Sequence, residues 1–335
     1  MTETKHTSER HRKHGYVSPI KRAAKPIYII LIALCLFPFD KIGMRDYFTP
    51  AVALFLGLIF AFIFECPCPK FNKKTSKYLL QAAVVGLGFG MNVNESLRSG
   101  SEGMLFTVIS VVGVMAVGVT VGWWLHINRK TTYLISSGTA ICGGSAIAAV
   151  GPVLRATENE MGVSLGVIFI LNAIALFIFP PIGHFFEMSQ AQFGTWAAIA
   201  IHDTSSVVGA GQAYGPEALQ LATLIKLTRA LWIIPLALVT MAVFRDKTAK
   251  ISIPWFIFLF ILAMVANTYL GIPQQVSEWL VWLAKKGMVV TLLLIGASLS
   301  LKAVRSVGAK PMLLAVLLWM VIGISSFLVV RATIA

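Results

Sequence analysis

Long apolar runs separated by short polar links fill this chain. They fall near residues 23–39, 47–65, 78–93, 103–125, 131–151, 161–186, 194–212, 217–244, 252–271, 280–301 and 311–331. Crossing ~30 Å of hydrocarbon takes about 20 helical residues, and most of these runs reach that length. The first is short, its purely apolar part running only from Ile27 to Phe39. The pattern predicts an all-α polytopic membrane protein with about eleven transmembrane helices. We expect a disordered basic cytoplasmic tail over 1–22 and a single transmembrane domain over 23–335. No small-residue cleavage site closes the first apolar run, so the tail does not read as a cleavable signal.

Composition points the same way. Only 13% of the residues are charged and 57% are hydrophobic, against about 25% charged in a soluble domain. The formal charge of +14 would suit nucleic acid, but the bases cluster in the polar links, which is the membrane-topology pattern. The expected partner is therefore a lipid bilayer and not nucleic acid. Placing the N-terminus inside puts the tail's bases (Lys5 to Lys25), Lys70, Lys73, Lys74, Lys77, Arg129, Lys130, Arg245, Lys247, Lys250, Lys302, Arg305 and Lys310 on the cytoplasmic side. The outside keeps Lys41, Arg45, Arg98, Arg155, Lys285, Lys286 and Arg331. That bias favours a bacterial inner-membrane protein with a cytoplasmic N-terminus and a periplasmic C-terminus. It also argues that the short first run spans, since otherwise Lys70–Lys77 would change side.

Lys226 and Arg229 belong to neither side, because both lie inside the run LATLIKLTRALWIIPLAL. Of the acids, only Asp203 clearly lies within an apolar run. Charge at membrane depth costs several kcal/mol unless paired or hydrated, so these positions mark function by default. Lys226 and Arg229 are three residues apart and share a helix face. Facing a single acid they leave excess positive charge, and a guanidinium fits an oxyanion bidentately. The bland alternatives are a structural ion pair with Asp203, or Arg229 satisfying carbonyls of a broken helix.

Two runs carry helix-breaking chemistry. SSGTAICGGSAIAAVGP (136–152) is dense in small residues, and each glycine weakens a helix by about 1 kcal/mol relative to alanine. Unwinding near Cys142, Gly143, Gly144 and Ser145 would set a second half-helix's N-terminus at mid-membrane, where it suits an anion. Gly138 and Thr139 would support that break; close packing of unbroken helices through small residues is the alternative. In AIAIHDTSSVVGAG (198–211), Asp203 precedes Thr204, Ser205 and Ser206, the spacing of an N-cap that accepts from Ser205 or Ser206. Asp203 could otherwise bind Na⁺ or a proton, and His202 titrates near neutral pH when unperturbed. Asn172, alone in an apolar span, can hydrogen-bond a neighbouring broken helix, and Asn92 closes the glycine-rich stretch GLGFGMN. That stretch has no βαβ setting, so no dinucleotide site is expected.

Self-similarity is weak but present. LGFGMNV at 87–93 resembles IGASLSL at 295–301, and the Pro50-led span resembles the Pro254-led span. ICGGSAIAAVG at 141–151 resembles IHDTSSVVGAG at 201–211. The first pair is inverted in an eleven-span topology, as transporter repeats require. The second pair is parallel there unless one member is a re-entrant hairpin; chance composition is the other explanation. Repeat-like halves would cover about 47–186 and 194–331.

The four cysteines form no framework, and Cys66-Pro-Cys68 lacks metal-ligand spacing, so neither metal nor cofactor is expected. HExxH, GxSxG and P-loop signatures are missing, which argues against an enzyme.

FGMN at 89–92, GTAICGGSAIAAVGPV at 138–153 and WAAIAIHDTSSVVGAGQAYG with the following IKLTRALWIIPLAL resemble the bacterial YeiH-type sulfate-exporter family over nearly the whole chain. More distantly, the order of motifs is similar to the bile-acid:sodium symporter and cation–proton antiporter superfamily. That resemblance implies inverted repeats, a panel domain, a core domain with crossing broken helices, elevator-like movement and a possible homodimer. The second motif comes earlier here than in that superfamily. The family label implies export of sulfate or a related sulfur oxyanion. Cys142, Gly143, Gly144, Ser145, Thr204, Ser205, Ser206, Lys226 and Arg229 would then bind the anion, and His202 and Asp203 would couple H⁺ or Na⁺. A Na⁺- or H⁺-coupled carrier of organic ions and a passive anion channel are the competing expectations.

Overall fold

The computed structural model describes residues 19–39, 48–64, 68–244, 255–298 and 307–334. Most of the expected tail, Lys41, Arg45, Cys66, the 245–254 link and the 299–306 link lie outside the described residues. The regular structure among the described residues is entirely helical. Among the described residues, five helices are long and apolar enough to cross a membrane: Thr107–Trp124, Glu158–Phe185, Pro216–Phe244, Gln274–Ser298 and Ala309–Thr333. Shorter apolar helices accompany them at Ala24–Leu36, Pro50–Phe64, Gly144–Val153 and Trp255–Tyr269.

One group of helices packs through glycine. It comprises α1 (Pro19–Leu36), α2 (Pro50–Phe64), α3 (Pro69–Gly88), α12 (Trp255–Tyr269) and α13 (Gln274–Ser298). The first helix starts at Pro19, inside the stretch read as tail; proline suits the first helical turn, where its missing N–H has no partner to lose. α2 and α13 cross at Gly57 and Gly296, where a Cβ on either glycine would stand 3.1 Å from the other's Cα. At a second crossing, a Cβ on Gly88 would stand 2.8 Å from the Phe260 carbonyl. Small residues let backbones approach this closely. The glycines of GLGFGMN are therefore explained by packing: Gly86 lies on Ala284, Gly88 on Phe260 and Gly90 on Val281. Lys285 and Lys286, read as an outer-link pair, instead lie within α13, with Lys286 buried.

The second group holds α4 (Val93–Trp124), α5 (Arg129–Ala140), α6 (Gly144–Val153), α7 (Glu158–Phe185), α8 (Gln190–Ala200), α9 (Thr204–Tyr214), α10 (Pro216–Ala230), α11 (Ile233–Phe244) and α14 (Ala309–Thr333). Here the even spacing of apolar runs misleads. The 131–151 run, expected to cross, folds back on itself. Lys130 Nζ, at the start of α5, donates to the carbonyl of Arg155, just past α6, at 2.9 Å. The 194–212 run does the same. Tyr214 Oη donates to the Met188 carbonyl at 2.6 Å, and its ring stacks on Phe193 with centroids 3.8 Å apart. Gln190 Oε1 accepts from the Glu217 N–H at 3.0 Å, tying the start of α8 to the start of α10.

The reason is length. α5 has 12 residues and α8 has 11, so at 1.5 Å per residue each reaches only ~18 Å. α7 joins the open end of the first hairpin to the open end of the second. The hairpins therefore enter from opposite ends and meet tip to tip. The first opens at the end carrying Arg129, Lys130 and Arg155, called here the basic end. The second opens at the far end, where Arg331 Nη1 donates to the Phe186 carbonyl at 2.6 Å. Capping boxes fix the chain's direction at each end of α7: Thr157 with Glu160 starts α7, and Ser189 with Gln192 starts α8. His126 lies in the turn before α5 with φ 54°, and His184 stacks on Tyr214; both stand at hairpin mouths, away from the tips.

Candidate functional site

Each tip is built by a residue type suited to it. Gly143 has φ +62°, a left-handed conformation that side chains disfavour. Its N–H donates to the Gly138 carbonyl at 2.8 Å, closing the turn. A Cβ here would stand 3.3 Å from Asp203 Cβ and 3.4 Å from the His202 carbonyl carbon. The absent side chain is what lets the two tips touch. Gly143 is also the N-cap of α6 and offers no side-chain acceptor.

The other tip is capped by Asp203. Its Oδ1 accepts from the N–H groups of Ser205 at 2.6 Å and Ser206 at 3.0 Å. The hydroxyls of Ser205 and Ser206 add bonds of 2.5 and 3.0 Å to the two carboxylate oxygens. Asn172 Oδ1, from α7, accepts from the N–H groups of His202 at 3.1 Å and Asp203 at 3.3 Å. The carboxylate thus serves the N-terminus of its own helix, whose partial positive charge it offsets.

Lys226 and Arg229 hold the opposite ends of the half-helices. Lys226 Nζ donates to the carbonyls of Ile201 at 2.7 Å and Ala198 at 3.3 Å. Arg229 Nε and Nη2 donate to the Ala140 carbonyl at 2.8 and 2.6 Å, and Nη1 to the Ile199 carbonyl at 3.3 Å. Both side chains are 0% exposed. The last carbonyls of a helix have no intrahelical partner. Two cations therefore satisfy the C-termini of α5 and α8, and neither donates to Asp203. Direct substrate contact, expected of Lys226 and Arg229 from the sequence, is not what their present geometry offers; the carbonyls occupy them.

The remaining candidates divide. Ser145 is exposed, Gly144, Asp203 and Thr204 are half-buried, and together they form the accessible part of the meeting point. Cys142, Ser205 and Ser206 are enclosed. Thr139 Oγ1, Asn172 Nδ2 and both ring nitrogens of His202 are buried without a hydrogen-bond partner among the described residues. Gly138 packs on Ile147 and Ile168, supporting the first hairpin. Asn92 is not brought to the tips; it lies past the end of α3, where its Oδ1 accepts from the Asn94 N–H at 2.9 Å. Trp319 was missed in sequence. From α14 its Nε1 donates to the Ala200 carbonyl at 3.1 Å, and its ring lies 6.5 Å from that of His202. An indole inside an apolar run is the signal that could have found it, since a buried indole N–H needs a partner.

A family model described as "Conserved hypothetical protein 698" matches residues 27–315. The chain is 63% identical over 311 residues to a UPF0324 membrane protein of Bacteroides thetaiotaomicron, covering 90% of this chain and 94% of the relative. It is 53% identical over 321 residues to one of Porphyromonas gingivalis, covering 92% and 96%. To one of Photobacterium profundum it is 43% identical over 305 residues, covering 91% of each. No solved structure matches. With a model over most of its length and relatives matched nearly end to end, the chain belongs to the UPF0324 family of membrane proteins.

Proposed function

We propose that this protein is a secondary active transporter of a small anion, a sulfur oxyanion such as sulfate or sulfite, across the bacterial inner membrane. The observation that carries this reading is the charge balance at the tips. Two fully enclosed cations stand behind a single carboxylate, and that carboxylate already serves α9. The N-terminus of α6 has no carboxylate: its cap is Gly143, and the Cys142 thiol is what the Ala146 N–H and the Ser145 hydroxyl meet. Its N–H groups, half-buried Gly144, exposed Ser145 and neighbouring Thr204 suit an oxyanion's acceptors. Lys226 and Arg229 act through the field and by holding the helix ends. Asp203, within reach of two serine hydroxyls, and His202 are the groups to couple H⁺ or Na⁺.

In the membrane, α5–α6 and α8–α9 are re-entrant. Irregular backbone at their tips is tolerable only where protein or water satisfies it, and Arg229, Lys226, Asn172 and Asp203 do so here. The crossings are then α1, α2, α3, α4, α7, α10–α11, α12, α13 and α14. Folding both runs back moves Arg155 to the side of Arg129 and Lys130, which strengthens the bias toward a cytoplasmic basic end.

The same arrangement contains an inverted repeat in permuted order. α2, α3, α4, the first hairpin and α7 correspond to α12, α13, α14, the second hairpin and α10–α11. Two pairs of contacts support it. Gly88 lies against the Phe260 carbonyl, and Gly296, 208 positions after Gly88, lies against the Leu54 carbonyl. Phe260 in turn follows Leu54 by 206 positions. The second hairpin precedes its three companion helices where the first follows them, which accounts for the early position of IHDTSS.

The test is flux. Purified protein in proteoliposomes should exchange labelled sulfate or sulfite in a saturable manner, with counter-substrate acceleration. Non-saturable flux would point to a channel. Flux of organic anions alone, driven by Na⁺ or a pH gradient, would favour the coupled-carrier reading that Asp203 and its serines also suit.

A further inference from the structure

We propose that Lys285, partway along α13, holds a small oxyanion in a cleft on the far side of the hairpin tips, a second anion station between the tips and the far end. This rests on the transporter reading and deepens it by placing a waypoint on the anion's route.

Four cations lie inside α10 and α13: Lys226, Arg229, Lys285 and Lys286. Lys226 and Arg229 are occupied by helix-end carbonyls, and Lys286 is enclosed. Lys285 differs from all three. It is half-buried, and among the described residues it makes neither a hydrogen bond nor an ion pair. It stands eleven residues into α13, ~16 Å from the helix start at 1.5 Å per residue. An ammonium that deep in a spanning helix is costly unless paired or hydrated, and so marks function by default.

The face of α13 that carries Lys285 looks inward. Val281, four residues before it, packs on Gly90, where a Cβ would stand 2.7 Å from Val281 Cγ2. Leu292, seven residues after it, packs on Gly209 of α9, where a Cβ would stand 3.0 Å from Leu292 Cδ1. Positions four and seven apart share a helix face. The lysine is therefore on the side of α13 turned to α3, α9 and α10, not on a lipid-facing side.

A cleft of about 60 Å³ receives it, lined also by Leu87 and Met91 at the end of α3, Leu219, Gln220 and Thr223 of α10, and Val281. That is several times the ~15 Å³ that one water needs. Gln220 bridges the outer side: its Nε2 gives one hydrogen to the Gly90 carbonyl at 3.1 Å and keeps a second to donate. Thr223 walls the inner side, with its hydroxyl donated to the Leu219 carbonyl at 2.6 Å. Lys226 follows Thr223 by three residues, a rise of ~4.5 Å, so the cleft ends about one helical turn from a cation of the tips. No carboxylate lines it. An ammonium with three donors and an amide N–H, set among apolar walls, suit the acceptors of an oxyanion. A cation would be repelled there, and an apolar ligand would leave the ammonium unpaired.

Thermal melting in a neutral, phospholipid-free detergent tests this with sulfate as the probe. Lys285→Met keeps the reach of the side chain and removes its charge. Without sulfate, this variant should melt no lower than the unaltered protein, because no partner is lost. Its sulfate concentration for half-maximal stabilisation should rise at least about tenfold. Lys285→Arg, which keeps the charge, should stay within about threefold of the unaltered protein. Lower melting of Lys285→Met without sulfate would make Lys285 a structural group and overturn the proposal. An unchanged sulfate response would overturn it too, as would an Arg variant as weak as the Met one. A Lys285-dependent response to added phosphatidylglycerol and none to sulfate would assign the lysine to a lipid headgroup, again overturning it. Flux separates this station from the transporter reading. A Lys285-dependent sulfate response in a protein without flux would keep the station and remove transport; flux with no change of that response in Lys285→Met would do the reverse.

Discussion

The two hairpins are built to similar dimensions, yet their tips are chemically different. Both have half-length helices and a three-residue break, and a buried cation closes a carbonyl end in each: Arg229 for α5, Lys226 with Arg229 for α8. At the cap they part. Asp203 places a carboxylate on the N-terminus of α9, whereas α6, capped by Gly143, meets only the Cys142 thiol. A perfectly symmetric pair would present two equal helix dipoles to a ligand. This pair presents one met by a carboxylate and one met by a thiol, so the two tips differ in charge in a way that the fold alone does not impose. Breaking either side should reveal which features are shared scaffolding and which carry the difference.

The largest effect is expected where both hairpins depend on one residue. Arg229→Ala removes the donors to the Ala140 and Ile199 carbonyls. Leaving a buried group unsatisfied costs about 1–3 kcal/mol each. The variant should therefore lose several degrees of thermal stability in detergent as well as all flux. Arg229→Lys should recover part of the stability. Normal melting with lost flux would mean that Arg229 contacts the substrate and not the helix ends.

How much of this was legible in the sequence follows from what each element needs. The helical membrane character was plain, since apolar length is a local property. The Asp203 cap was legible too, because an N-cap reaches only two or three residues ahead. The hairpins were not. Two half-helices joined by a glycine-rich break have the same apolar length as one crossing. Only the meeting of Lys130 with Arg155, and of Tyr214 with Met188, distinguishes the two. The targets of Arg229 were hidden for a related reason: Ala140 is 89 positions away. Asn92 shows the opposite error, a polar residue in an apolar frame that turns out to start a helix, α4, at the far end.

Next in size comes Gly143→Ala, which attacks the contact between the tips. Holding a side chain at φ +62° and ψ −122°, outside even the left-handed helical region, costs about 1–3 kcal/mol, and the new Cβ would also stand 3.1 Å from Ile168 Cγ2. Gly144→Ala is the control, because its Cβ would find only ordinary contacts of 3.4 Å or more. Melting temperatures of the pair should separate, with Gly143→Ala the lower. Equal values would mean that the tips tolerate separation.

Asp203→Asn exchanges the distinctive charge for a neutral cap. Asparagine caps about as well as aspartate, so the loss of charge–dipole energy should stay near 0.3–1 kcal/mol. Transport should respond more than stability does, with an altered dependence on pH or Na⁺. An unchanged profile would remove Asp203 from coupling and leave it a structural cap.

The smallest stability effect belongs to Ser145→Ala, at the tip without a carboxylate, where the serine hydroxyl meets only the Cys142 thiol. Ser145 is exposed, and surface substitutions away from such networks stay within about 0.5 kcal/mol. Its counterpart at the other tip, Ser205→Ala, removes a hydroxyl from the Asp203 cap and should destabilise more. If the N-terminus of α6 holds the anion, Ser145→Ala should raise the concentration needed for half-maximal flux while melting stays put, and Ser205→Ala should lower melting with a lesser effect on that concentration. Reversal of the two responses would place the anion at the capped tip, and the polarity assigned to the pair would be backwards.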